Sequence, residues 1–276
     1  MGVLQLQVRM AFTVIIFAAM YGLLASVIAT VTGIPFLLVF FVMTVLLIAG
    51  YTTARKLILE QANAREVPEE EAPNLFRLVR KASNELGVDK PQIMVGDFGG
   101  PNCFAVGRTS NGTVIVSEQL VELLNADELA AVLTHQISHI RNRDVILMVL
   151  AQTPAILFGH FIAKLRERNI GLAHFERIDK MAGILVILSA YVFVFPITRY
   201  RDSLADSITS EQVGEDALAS ALQKIADQYG YNTPSSNPAL RGLFFYNTPQ
   251  NGVAGVFSSH LSVQSRIDEL SDGFDY

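Results

Sequence analysis

Two uncharged apolar runs near the start of the chain constrain its fold more than any other feature. Residues 10–31 and 34–51 contain no Asp, Glu, Lys or Arg, and only the short turn Thr32-Gly33-Ile34-Pro35 joins them. A helix needs about 20 consecutive apolar residues to cross the hydrocarbon core of a bilayer, and both runs are of that order. They read as a helical hairpin that crosses and returns. A cleavable signal peptide is not expected, because the first run is long, shows no small-residue cleavage site and leads at once into a second. Composition agrees: charged residues make up 17% of the chain, against about 25% in soluble globular domains.

Two weaker runs follow. Residues 145–163 are interrupted by Gln152, Thr153, Pro154 and His160, and residues 181–197 are uninterrupted by charge except at their flanks. Buried helices of a soluble core are the alternative; length and lack of internal charge favour membrane helices. Basic residues flank the runs on one side: Arg9, Arg55 and Lys56, Arg141 and Arg143, Arg199 and Arg201. The excess of Lys and Arg near span ends marks the cytoplasmic side, so both termini and the polar segments are expected there. The loop 164–180 opposes this scheme, with five basic residues against three acidic ones.

Between the hairpin and the third run the sequence reads as a soluble domain. An acidic stretch, 68–72, precedes a helix to about Leu86, with Leu75, Leu78, Val79 and Ala82 at helical spacing and Gly87 as its stop. Residues 92–95 and 113–116 read as strands, separated by Gly99, Gly100 and Pro101. Asn125-Ala-Asp-Glu is a helix start with an N-cap and an acidic first turn. Beyond the fourth run, 202–229 reads as one helix, 230–255 as a loop and 263–270 as a final amphipathic helix. No internal repeat is visible.

The single cysteine, Cys103, excludes a disulfide framework and a multi-cysteine zinc knuckle, and is expected to be a small buried residue. A net charge of −5 without a dense Lys/Arg tract gives nucleic-acid binding no support.

The helix opened by Asn125 carries Leu133-Thr-His135-Gln136-Ile-Ser-His139-Ile140. Histidines at i and i+4 share a helix face, roughly 5–6 Å apart, and two neutral imidazoles so placed suit one Zn²⁺; two unrelated helix histidines are the alternative. In the H-E-x-x-H pattern the residue after the first histidine is the general base. Here it is Gln136, whose amide accepts a hydrogen bond from water but cannot take up its proton. A third protein ligand is required, and the candidates are Asp202 and Asp206, four apart on a helix. Capping, or pairing with Arg199 or Arg201, is the competing use of these carboxylates.

These segments together resemble the HtpX family of membrane zinc metallopeptidases, relatives of the CAAX prenyl endopeptidases. The resemblance runs through the N-terminal hairpin and Pro101-Asn-Cys-Phe-Ala-Val-Gly-Arg108, similar to the family's N-A-F-A-x-G. It continues through Leu133-Thr-His-Gln-Ile-Ser-His-Ile-Arg-Asn-Arg-Asp144, similar to H-E-[IL]-S-H-I-x-N-R-D, and Arg201-Asp-Ser-Leu-Ala-Asp206, similar to R-E-[FY]-x-A-D. Leu218-Ala-Ser-Ala-Leu-Gln-Lys-Ile225 and Phe257-Ser-Ser-His260 complete it. The resemblance implies an α-helical membrane protein of about four transmembrane helices with a cytoplasmic α+β, gluzincin-like zinc metallopeptidase domain. The divisions are a transmembrane hairpin (1–54), a cytoplasmic domain with the first zinc-ligand helix (55–144), a second transmembrane pair (145–197), and the rest of the peptidase domain with the third ligand (198–276). It implies a multi-pass protein of the cytoplasmic membrane, one Zn²⁺ per chain, and misfolded or membrane polypeptides as substrates. Oligomeric state is not indicated.

Carried over by position, His135, His139 and Asp202 are the zinc ligands and Gln136 holds the place of the catalytic Glu. The family has Glu where this chain has Asp202 and an aromatic where it has Ser203, so both zinc-site carboxylates are altered. The chain is then either a peptidase whose glutamate has been replaced or a natural pseudopeptidase. Asp206 and Asn142, with Asp144, are candidates for orienting a ligand. Asn102, Phe104 and Ala105, in the stretch 102–106, are candidates for an edge strand that receives substrate backbone. Arg241 and His260 are weaker candidates for meeting an oxyanion, and His160 and His174 attach to no motif.

Overall fold

A computed structural model describes residues 15, 18–19, 21–26, 28–30, 32–97, 99–144, 195–229, 244–246 and 262–272. The third and fourth apolar runs up to residue 194, the loop 164–180 and the residues Arg241, His260, His160 and His174 lie outside that set. The chain divides into two compact units, 1–53 with 147–197, and 54–146 with 198–276.

In the first unit the described part is the hairpin. Gly33 adopts φ 73°, the left-handed conformation a tight reversal requires, and helix α1 (Phe36–Gln61) begins just beyond Pro35. Tyr21, Leu24 and Ala25 pack against Val39 and Met43 across the turn. The other faces are apolar and exposed, including Ile15, Leu23, Leu37, Phe41, Val45 and Ile48. Among the described residues no helix is long and apolar enough to cross a membrane.

The second unit is built on a four-stranded sheet in the order β1-β2-β4-β3, with β1 (Arg65–Glu66), β2 (Gln92–Gly96), β3 (Cys103–Val106) and β4 (Thr113–Ser117). β2 and β4 run parallel, and the outer pairs are antiparallel. The period-2 alternation sorts the side chains onto two faces. Ile93, Val95, Cys103, Ala105, Val114 and Val116 join the larger core, while Met94, Phe104, Val106 and Ile115 pack with Ala62 and Phe244 on the other side. β4 is buried throughout, as a central strand covered on both faces should be.

The larger core takes apolar residues from five helices. Helix α2 (Pro73–Leu86) contributes Leu75, Leu78, Val79, Ala82 and Leu86, starts on a proline at its N-terminus and ends on Gly87 at φ 66°. The short helix α3 (Glu118–Leu123), capped by the Ser117 hydroxyl, leads into α4 (Ala126–Arg141). Helices α6 (Glu215–Tyr229) and α7 (Val263–Asp272) supply Leu218, Leu222 and Ile225, and Val263 and Leu270.

Two sequence expectations change here. The helix expected over 202–229 is two helices, α5 (Phe195–Val213) and α6, broken at Gly214, whose φ of 104° no helix accommodates. The second apolar run does not end its helix at Tyr51: α1 continues to Gln61 through polar residues, among them the i,i+4 pair Lys56–Glu60.

Gly107 shows how tightly the β3–β4 connection is drawn. Its φ is 99°, and a Cβ there would lie 2.4 Å from the Asn111 carbonyl oxygen. Gly107→Ala is expected to destabilise the domain by about 1–3 kcal/mol, the usual cost of a forced left-handed residue, read as a lowered denaturant midpoint with unchanged slope.

Candidate metal centre

Helix α4 is set by its first turn. The Asn125 side chain accepts hydrogen bonds from the Asp127 and Glu128 N–H groups, and the Glu128 carboxylate accepts from the Asn125 N–H, a complete capping box. The same carboxylate receives the Ser220 hydroxyl at 2.6 Å and the Lys224 ammonium at 2.8 Å, tying α4 to α6. Burial pushes the Glu128 carboxyl up, but Lys224, Ser220 and the Asn125 N–H more than offset this and hold it below the usual range. A depressed carboxylate stabilises the fold above its unfolded pKa, and that stabilisation is lost as pH falls through the lower folded value. Glu128→Ala removes three partners at once and is expected to cost about 1–3 kcal/mol at neutral pH, with the difference from the parent shrinking in acid unfolding experiments.

Nearly every residue of α4 from Leu129 to Ile140 is buried, His135 among them, while His139 is partly exposed. His135 and His139 stand edge to face, with ring centroids 4.7 Å apart and Nε2 atoms 3.1 Å apart. Two imidazole nitrogens bound to one tetrahedral ion at roughly 2.0–2.1 Å would lie about 3.3 Å apart, so the two rings are already close to that separation. The nearest Asp202 oxygen, from α5, is 3.8 Å from His139 Nε2. Ligand atoms of His135, His139 and Asp202 all fall within 4.8 Å of one another.

Each ring's other nitrogen is held by a carboxylate. Asp206 Oδ1 is 2.7 Å from His135 Nδ1, and Asp144 Oδ2 is 2.7 Å from His139 Nδ1. At His139 the Nδ1–H given to Asp144 leaves Nε2 as the lone-pair nitrogen, the tautomer a metal needs. Burial pushes His135 down, partly offset by Asp206, to about 4, so it is neutral and ligand-ready at neutral pH. Asp206 is raised by burial, yet Arg266 and His135 beside it hold it well below the usual carboxylate range. Arg266, from α7, grips both Asp206 oxygens at 2.7 Å, donates to the Phe245 carbonyl at 2.9 Å and lies 4.7 Å over the Phe245 ring. Phe245 in turn packs edge-on against His135, at 5.0 Å between centroids.

The structure thus brings together His135, His139, Asp202 and Asp206, with Gln136 buried beside them on α4. Asn142 is the C-cap residue of α4, and the carboxylate that reaches His139 is that of Asp144. Arg266 and Phe245 were not singled out from the sequence. Arg266 carried a signal nonetheless: with Val263, Ile267 and Leu270 it lies on the apolar face of α7, where an unpaired charge is not tolerated.

The strand candidates separate. The Phe245 N–H donates to the Cys103 carbonyl, so residues 244–246 cover the outer edge of β3 at its first residue. The Asn102 amide is committed to the Tyr246 backbone in both directions, at 2.8 and 3.1 Å. Phe104 is buried in the smaller core against Phe244. Because strand residues alternate in the direction of their backbone groups, Ala105 faces the same outer edge as Cys103. Cys103 itself is buried, and burial pushes its thiol up.

A sheet flanked by helices, with a His-x-x-x-His helix and a carboxylate from a later helix converging on one point, defines the metallopeptidase class. The Peptidase family M48 model matches residues 69–273; the chain belongs to that family of metalloproteases. It is similar to proteins described as "Protease HtpX homolog". One from Pyrococcus abyssi is 36% identical over 236 residues, covering 80% of each chain. One from Thermococcus sibiricus is 33% identical and covers 94% of each. One from Halobacterium salinarum is 38% identical over 180 residues, 64% of this chain and 62% of that relative. Among solved structures, the crystal structure of S. mikatae Ste24p shares the fold, with a TM-score of 0.57 at 17% identity over 99% of this chain and 67% of that one.

Proposed function

We propose that this chain is a membrane-bound zinc endopeptidase scaffold acting on misfolded or membrane polypeptides at the cytoplasmic face, with catalysis impaired by Gln136. The observation that carries the reading is the pair of Nε2 atoms 3.1 Å apart beside Asp202, each ring braced by a carboxylate. Two imidazoles and one carboxylate are a donor set suited to catalytic zinc, which keeps a fourth position open. His135, His139 and Asp202 would hold the ion, and when bound it would supply Lewis-acid polarisation and an acidified water.

The chain's own residues do the rest. Asp206 and Asp144 fix both rings, and the α4 backbone sets Gln136 next to His135. A glutamate at position 136 would accept the proton from water and return it to the leaving amine; the Gln136 amide does neither. An extended substrate would add to the sheet at the outward backbone of Ala105, beyond the end of β3 that residues 244–246 already occupy. Membrane attachment is supported by the two N-terminal apolar runs and by the exposed Leu37, Phe41, Val45 and Ile48 on α1, a surface that suits lipid. The four-span arrangement places the loop 164–180 outside the cell, so cysteines introduced there should be labelled only by reagent added externally.

A second reading, a natural pseudopeptidase that binds polypeptides without cutting them, draws support from the two altered carboxylates, Gln136 and Asp202. Both readings require binding. Full-length protein in detergent, loaded with zinc, is expected to retain an unfolded polypeptide such as reduced casein. Stripping the metal or introducing His139→Ala should abolish this. Equal retention in all three states would contradict the proposed site.

A further inference from the structure

We propose that Arg201 is a positioning residue for the metal centre, acting through Asp144 on His139; this rests on the metal reading above. Asp144 is almost fully buried, and its two oxygens have separate tasks. Oδ2 takes the His139 Nδ1–H at 2.7 Å, and Oδ1 forms an ion pair with Arg201 Nη1. Arg201 holds Oδ1 and so fixes the orientation in which Oδ2 meets the imidazole N–H.

Local backbone geometry supports the assignment. After the C-cap Asn142 the chain turns through Arg143 at φ 58°, a left-handed conformation that a non-glycine residue adopts only at a cost. This turn brings Asp144 back against the helix that has just ended, within reach of His139.

Arg201 directly precedes Asp202 on α5. Consecutive helix residues point about 100° apart, so one turn of α5 addresses both nitrogens of the same imidazole. Asp202 stands 3.8 Å from Nε2, and Arg201 acts on Nδ1 through Asp144. The family motif has a longer Glu at the position of Asp202, and the shorter side chain ligates only if its helix comes closer. The Arg201–Asp144 pair is a tie between α5 and the end of α4 that holds the helix in.

The test is a double-mutant cycle on the full-length protein in detergent, with zinc affinity measured by chelator competition. Asp144→Asn and Arg201→Gln should each weaken zinc binding by about 10–100-fold, the usual effect of losing a partner of a metal-binding histidine. The double variant should bind no more weakly than the weaker single one, because Arg201 acts through Asp144. Arg201→Lys should recover most of the affinity.

Histidine-selective ¹⁵N spectra of the metal-free protein give a second readout. His139 should carry its proton on Nδ1 in the parent and lose that preference in Arg201→Gln. Parent-like zinc affinity and tautomer in Arg201→Gln, or losses that multiply in the double variant, would overturn the inference. If the parent itself bound no zinc, the metal reading would fall, and the tautomer comparison would still decide the role of Arg201. If Asp144→Asn did not fold, Arg201→Gln against Arg201→Lys would carry the comparison.

Discussion

Gln136→Glu is expected to raise casein cleavage by the zinc-loaded protein about 10²–10⁴-fold, the usual contribution of a positioned acid–base group. Gln136 is buried beside His135 on a helix that its capping box and the Glu128 anchor hold in place. Gln and Glu are nearly isosteric, so the exchange restores a proton acceptor without disturbing packing.

Asp202 sets the ceiling. If Gln136→Glu alone recovers little, the pair with Asp202→Glu, which reinstates both family carboxylates, should recover more. Silence of that double variant with zinc bound would favour the pseudopeptidase reading.

Arg266→Met has the largest expected effect on the fold. Arg266 is 4% exposed and Asp206 1%, and their two hydrogen bonds leave no solvent to replace the guanidinium. Removing one partner of a buried pair leaves an uncompensated charge and costs about 3–5 kcal/mol. The loss should reach the metal centre too, because Asp206 orients His135 and the Arg266 side chain fixes Phe245 against the same ring. A lowered unfolding midpoint together with weakened zinc binding is the expected pair of results. Asp206→Asn with Arg266→Met removes both charges and should recover part of the stability while zinc binding stays weak.

Much of the α+β unit was legible in the sequence because its signals are local. Gly87 ends α2, Asn125 and Glu128 open α4, and the short continuous apolar runs of β2 and β4 mark their strands. The His135–His139 juxtaposition follows from helix geometry alone. What was not legible depends on tertiary placement or on backbone angles. A lone Gly214 reads equally well as a tolerated helix residue or as a break. The two-residue strand β1 exists only by pairing with β2. The choice of Asp144 over Asn142 as the partner of His139 turns on the left-handed Arg143, which no propensity announces. Arg266 comes from a helix 60 residues beyond Asp206, so their pairing could not be read from spacing, although its place on an apolar stripe flagged a buried partner.

The most direct measurement of the central claim is zinc per chain in purified full-length protein, for the parent and for His135→Ala. One zinc ion per parent chain, with none retained after His135→Ala, is the predicted result. Little zinc in the parent, or the same zinc content in both, would contradict a metal centre built on His135, His139 and Asp202.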